Sequence, residues 1–157
     1  WAKLNFNSLQ QNNSEIDFKA IIAKILEIHK ASHESKNIDI QVQIEAGQVV
    51  VSDPELVTIV IRNIISNAIK FTSNGGTIKI MYHDNQLEIT DSGIGMTPKM
   101  IAEILNNTNI SHRGTNNEIG IGMQLVKSPT EKMDCQFVIE SQPNIGTTIG
   151  LFFNTNS

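Results

Sequence analysis

Apolar residues first recur at helical spacing between Phe18 and Ser35, with Phe18, Ile21, Ile22, Ile25, Leu26 and Ile28 carrying the pattern. In "NIDIQVQIEA" the period switches to two. Ile38, Ile40, Val42 and Ile44 face one way, which predicts a half-buried strand. "QVVV" follows as a short partner strand. "SDPEL" then predicts a helix start, with Asp53 as N-cap, Pro54 at the first helical position and Glu55 beside the positive dipole end. That helix is expected to run to about Phe71 and to stop at "TSNGG". "TIKIMYH" and "QLEIT" predict a strand hairpin turning at His83, Asp84 and Asn85. "TPKMIAEIL" predicts a short helix capped by Thr97 with Pro98 in its first turn. The stretch from Asn106 to Gly120 is poor in apolar residues and predicts a long, lid-like loop. A helix over "GMQLVKSPTEKM" and strands over "QFVIES" and "TTIGLFF" close the chain. Strands and helices in this order predict an α/β two-layer sandwich, a mixed sheet of about five strands backed by three main helices.

The helix after Asp53 carries an anomaly. In "RNIISNAIKFT" the polar residues Asn63, Asn67 and Lys70 are spaced by four and three. At about 100° per residue they share a stripe about 60° wide. The rest of the helix is apolar enough to be mostly buried, and an amide is costly to bury without partners. Asparagine is also a mediocre helix former, so its placement here asks for a chemical reason.

Composition narrows what that reason can be. The chain has 157 residues, enough for one domain with a substantial core. Its 16 acids against 12 bases give a net charge of −4, which argues against a nucleic-acid-binding face. Cys135 is the only cysteine, so there is no disulfide framework and no cysteine-based zinc site. It reads as a buried small apolar residue in a reducing compartment. No apolar run reaches the roughly 18 residues of a membrane span, and no signal peptide opens the chain. The Asn-, Gln- and Ser-rich stretches Asn5 to Ser14 and Asn154 to Ser157 read as solvated ends. There is no P-loop, no complete G-x-G-x-x-G and no H-E-x-x-H. His29 and His33 stand four apart without a third metal ligand.

Several short glycine sites are present instead. "DSGIGM" (Asp91 to Met96) ends a strand with an acid and two glycines two apart. "GIGMQL" (Gly120 to Leu125) opens a helix, where backbone amides and the helix dipole favour an anion. "NIGTT" (Asn144 to Thr148) turns into the last strand. Each alone is an ordinary turn. In order, from Asn63–Asn67 through "DSGIGM", "GIGMQL" and "GTT", they resemble the N, G1 and G2 boxes and final G-T turn of the sensor histidine kinase catalytic and ATP-binding domain. This domain is part of the wider gyrase, chaperone, kinase and MutL superfamily. "SNAIKFT" and "DSGIGM" match that pattern almost letter for letter.

The resemblance implies the Bergerat ATP-binding fold, with ATP and Mg²⁺ as cofactors. By resemblance, Asn67 would coordinate Mg²⁺, Asn63 would line the phosphate site and Lys70 would meet phosphate charge. Asp91 would accept from the adenine amino group, with Gly93 and Gly95 letting the ring approach and Met96 beside it. Gly120, Gly122 and Met123 would present amides to the phosphates, Thr147 would sit near the adenine, and Asn106 to Ile119 would be the ATP lid. Where the hydrolysing branch carries a glutamate, this chain has Asn63, which cannot act as a general base, so transfer to another nucleophile is expected over rapid hydrolysis.

"WAKLN" looks like the end of a dimerisation helix, so residues 1–15 are expected as helix end and linker and 16–157 as the catalytic domain. The acceptor histidine would lie upstream of Trp1, on the chain's own dimerisation domain. His33 in "HESKN" lacks the rest of an acceptor box. The implied partners are that domain and a response regulator, in a parent homodimer. The fragment itself would be cytoplasmic, without nucleic acid or direct membrane contact, and any membrane anchor of the parent would lie outside it. Three departures from the family pattern stand out: Ile121 and Gln124 in the G2 stretch, Pro129 in the following helix, and Asp134-Cys135 in place of a glycine pair. They favour the main alternative, a degenerate docking module with weak or no nucleotide binding. A second alternative, a serine kinase acting on a partner protein, is disfavoured by the missing base at position 63 and by the dimerisation-like "WAKL".

Overall fold

The alternation in "TIKIMYH" becomes β4 (Thr77–His83), whose Ile78, Ile80 and Tyr82 are buried while their neighbours are not. The computed structural model describes residues 12–45, 49–106, 123 and 126–154. β4 pairs antiparallel with β5 (Gln86–Asp91) through a turn at Asp84 and Asn85, both at positive φ. Positive φ at both central residues suits the right-handed twist of the strands, and Asn and Asp tolerate it. β5 pairs with β7 (Gly146–Phe153), and β7 with β6 (Cys135–Gln142), all antiparallel. β2 (Asp39–Ile44) joins the other side of β4 in parallel, making a mixed five-stranded sheet in the order β2-β4-β5-β7-β6. The expected two-layer α/β architecture is the one observed.

One face of this sheet carries the core. α3 (Pro54–Phe71) buries Leu56, Val57, Val60, Ile61, Ile64, Ile65, Ala68 and Ile69. α1 (Phe18–Ile28) buries Phe18, Ile22 and Ile25. Phe18 stacks on Tyr82 of β4 at 4.6 Å between ring centroids and meets Phe153 of β7 at 5.2 Å, tying α1 across the sheet. The opposite face presents Lys79, Thr90, Glu140 and Thr148 to a broad open hollow, as expected of an antiparallel sheet wetted on one side.

The structure differs from the sequence expectation in three places. The helix expected through Ser35 breaks at His29 into α1 and α2 (Lys30–Ser35), because "KASHES" has no large apolar side chain to hold against the core and buries nothing. β3 (Val51–Ser52) pairs not with β2 but with β1 (Ser14–Glu15), so residues 12–15 of the expected linker lie along the domain, with Asn12 N–H donating to Asp53 at 3.1 Å. Val49 and Val51, 57 % and 58 % exposed, flank the buried Val50. Pro129 lies inside the helix over residues 126–132 without ending it, and the amide of Met133 still donates to its carbonyl at 3.0 Å.

Candidate functional site

α3 begins where "SDPEL" places it. The Asp53 carboxylate accepts from the amides of Glu55 at 3.0 Å and Leu56 at 3.3 Å, with Pro54 in the first turn. The far end is held by a residue outside the sequence expectations. Lys36 Nζ donates to the carbonyls of Ile69, Lys70 and Thr72 at 2.9, 2.9 and 3.1 Å, a cation on the negative end of the helix dipole. With both ends fixed, the polar stripe has a defined direction.

The three stripe residues do not share one environment. Asn63 Nδ2 donates back to Ile59 C=O at 2.8 Å, turning its amide along its own helix. Asn67 lines an apolar hollow, and its Nδ2 is buried with no hydrogen-bond partner among the described residues. Lys70 is exposed, with its Nζ 5.7 Å from the Phe71 ring centroid. It lines a separate hollow with His29, Ser32 and Lys36.

Asp91 ends β5 at the other side of the Asn67 hollow, directly opposite Thr147 on β7. Burial pushes the Asp91 carboxyl up from its ordinary value, while hydrogen bonding from the backbone of Gly93 and Thr147 pulls the other way. The Gly93 amide donates to Asp91 Oδ1 at 2.9 Å. The two glycines of the turn make room for the protein's own backbone. A Cβ on Gly93 would stand 2.5 Å from the Phe71 carbonyl oxygen, and one on Gly95 only 1.9 Å from that of Gln142. Gly95 also sits at φ +68°, the left-handed region that glycine adopts without penalty. The Asp91–Met96 turn is thus wedged between the end of α3 and the β6–β7 turn, with Ile94 N–H donating to Phe71 C=O at 3.2 Å and Asn144 N–H to Ile94 C=O at 2.7 Å.

Ser141 supports this wedge. Its Oγ accepts from the Met96 amide at 2.7 Å, donates to the Gly146 carbonyl at 2.9 Å and lies 2.8 Å from Thr147 Oγ1. The core-facing series Cys135, Phe137, Ile139 ends on Ser141, and a polar residue at a core-facing strand position was the signal available in the sequence. Cys135 itself is buried, and burial and the neighbouring Asp134 charge push its thiol up to about 12, so it is inert packing.

Of the sequence candidates, the hollow brings together Asn67, Asp91, Gly95, Met96, Met123 and Thr147, walled by Ile64, Ala68, Ile89 and Ile149. Asn63, Lys70 and Gly93 stand outside its lining. Gly120, Gly122, the substituted G2 positions Ile121 and Gln124, the "WAKL" segment and nearly all of the expected lid lie outside the described residues. An apolar slot with a carboxylate and a hydroxyl at one end fits a flat heterocycle bearing a hydrogen-bond donor. The Asn67 amide, whose Nδ2 has no hydrogen-bond partner among the described residues, can present its oxygen to a hard cation. Among the described residues no three His, Cys, Asp or Glu side chains gather to hold a metal, so a divalent ion here would depend on ligand oxygens and water.

Comparison with known proteins agrees with this fold. The sensor-like histidine kinase SenX3 of Mycobacterium bovis is 23 % identical over 148 residues, covering 89 % of this chain and 36 % of SenX3. The chain thus spans about a third of that relative's length. The catalytic domain of histidine kinase ThkA superposes with a TM-score of 0.73 at 18 % identity, covering 89 % of this chain and 93 % of that domain. Full-length ShkA, solved in complex with AMPPNP, superposes with a TM-score of 0.75 at 17 % identity, over 91 % of this chain and 31 % of ShkA. Residues 52–157 match the family described as histidine kinase-, DNA gyrase B- and HSP90-like ATPases. That match opens one residue before the Asp53 cap and runs through every strand that frames the hollow, and on it the chain belongs to this ATPase family.

Proposed function

We propose that this chain is the ATP-binding catalytic part of a two-component sensor histidine kinase. In this reading residues 1–15 are the end of a dimerisation helix and linker, and residues 16–157 hold ATP with Mg²⁺. The observation that carries it is the pairing of Asp91 with Thr147 at the polar end of the apolar hollow, with Asn67, whose Nδ2 has no partner among the described residues, also in its lining. Asp91 accepts from the amino group of the adenine, and Ile64, Ala68, Ile89 and Met123 exclude water from its faces. Asn67 would offer its amide oxygen to Mg²⁺, Asn63 would line the phosphate site, Lys70 would meet phosphate charge, Gly120, Gly122 and Met123 would supply amides to the phosphates, and residues 106–119 would serve as the ATP lid. Bound ATP supplies the γ-phosphoryl group, and Mg²⁺ neutralises phosphate charge. The acceptor is a histidine on the dimerisation domain of the same protein, acting as a homodimer, and a response-regulator aspartate receives the group afterwards. The segment works in the cytoplasm, and no described helix is long and apolar enough to cross a membrane.

Calorimetric titration with a non-hydrolysable ATP analogue, with and without Mg²⁺, tests this reading. Asp91→Ala should weaken binding at least about a hundredfold, because a charged acceptor is lost from a desolvated site. Asn67→Ala should weaken it about tenfold and only when Mg²⁺ is present. No binding at millimolar nucleotide, or binding indifferent to both substitutions, would sink the proposal.

A further inference from the structure

Ser141 does not line the hollow that holds Asn67 and Asp91, yet it touches three groups that shape its polar end. A serine hydroxyl has one proton to give and two lone pairs to receive with. The Met96 amide can only donate, so it occupies one lone pair at 2.7 Å. The Gly146 carbonyl can only accept, so the 2.9 Å contact takes the single Ser141 proton. The remaining contact, 2.8 Å to Thr147 Oγ1, is then a hydrogen bond only if Thr147 donates. That consumes the Thr147 proton inside the protein and leaves its hydroxyl with lone pairs alone.

We propose that Ser141 is a positioning residue that holds the Thr147 hydroxyl as a hydrogen-bond acceptor toward the ligand, and so sharpens the preference of the hollow for a 6-aminopurine over a 6-oxopurine. The inference rests on the ATP reading above. A ligand entering the hollow meets the Asp91 carboxyl and, directly opposite it on β7, a threonine oxygen with no proton to offer. An exocyclic amino group offers two protons to such acceptors, whereas a 6-oxopurine offers only its ring N1–H and turns a keto oxygen toward them, and a buried acceptor left unpaired is what makes a polar pocket selective. Thr147 is itself buried, so it cannot recover a partner from bulk water when the ligand fails to supply one. Without Ser141, the threonine proton is released to rotate toward the ligand and the pocket can answer a keto group with a donor.

The test compares the binding of non-hydrolysable ATP and ITP analogues to the intact chain and four variants, each titrated with both nucleotides. Ser141→Ala should reduce the ATP-over-ITP preference about tenfold, chiefly by tighter binding of the inosine analogue. Ser141→Thr, which keeps the hydroxyl, should restore the preference. In a Thr147→Val background, adding Ser141→Ala should change the preference no further, because the route of its effect has been removed. A Ser141→Ala variant that weakens both nucleotides equally, or neither, would overturn the proposal and leave the ATP reading standing. Absence of ATP binding by the unsubstituted chain would overturn both. Should the alanine variant fail to fold, Ser141→Cys, a near-isosteric but weaker donor, makes the same comparison.

Discussion

Asp91 costs the fold stability for the sake of the site. Its carboxyl is pushed above its ordinary value by burial, so the folded chain holds that proton more tightly than the unfolded chain does. Stability from this group is therefore fully present below the ordinary carboxylate value and is lost as pH rises through the raised one. Above both, the buried charge is a standing penalty. Asp91→Asn removes the charge while keeping an oxygen to accept from the Gly93 amide. We expect this variant to melt higher than the parent at neutral pH, with the gap closing as pH falls through the carboxylate range, and to lose nucleotide binding. Thermal unfolding followed across that range checks it, and a gap independent of pH would place the penalty elsewhere. At this scale, Asn67 stood out as an amide on an otherwise apolar helix, and Asp91 only through the order of the motifs around it, since "DSGIGM" alone is an ordinary turn. Ser141 needed the parity of its strand, and Lys36 left no local signal, since its partners Ile69, Lys70 and Thr72 lie more than thirty residues away.

Among the elements, α3 is the one on which both the core and the hollow depend, and it is clamped at each end. Asp53 satisfies two orphan amides at its start, and Lys36 serves three orphan carbonyls at its end. Asp53→Ala should cost about 1–2 kcal/mol, toward the upper part of the capping range because Asp53 is buried and also anchors Asn12. Lys36→Met, which keeps the apolar stem, should cost about 1 kcal/mol, since part of this lysine remains in water. An 18-residue helix separates the two by about 27 Å, so the losses should add to within about 0.5 kcal/mol in denaturant unfolding. A Lys36→Met protein as stable as its parent would mean that water serves those carbonyls equally well. The bounds of α3 and the β4–β5 hairpin could be read from the sequence because cap, proline and turn residues are local signals. The break at His29 and the pairing of β1 with β3 could not, because both turn on which neighbours compete for the same surface. Periodicity reports that a stretch has an apolar side and leaves open which partner covers it.

For the whole molecule, the proposed function separates holding a nucleotide from receiving its phosphate. The hollow faces a surface on which Asp91 is the only carboxylate among the described lining residues, and it is engaged by the Gly93 amide. Asn63, which by the family resemblance stands where the hydrolysing branch carries its base, has an amide turned back onto Ile59 and no basic atom to activate water. Nor does a described histidine offer an acceptor there: His29 lines a different hollow, His83 lies at the β4–β5 turn beside Asp84 and Glu88, and His33 is absent from the lining of the hollow that holds Asn67 and Asp91. Incubated with γ-labelled ATP and Mg²⁺, the chain alone should therefore remain unlabelled and release phosphate no faster than an Asp91→Ala control. Adding a separate polypeptide that carries dimerisation helices with an acceptor histidine should move label onto that polypeptide and not onto this chain, with an acid-labile, base-stable bond as expected of phosphohistidine. Such transfer needs chiefly positioning and charge neutralisation, which a bound nucleotide and an ordered α3 can supply without a base in the hollow. Label appearing on this chain itself, or phosphate release well above the Asp91→Ala control, would place an acceptor or a water-activating group within these 157 residues and overturn the division of labour.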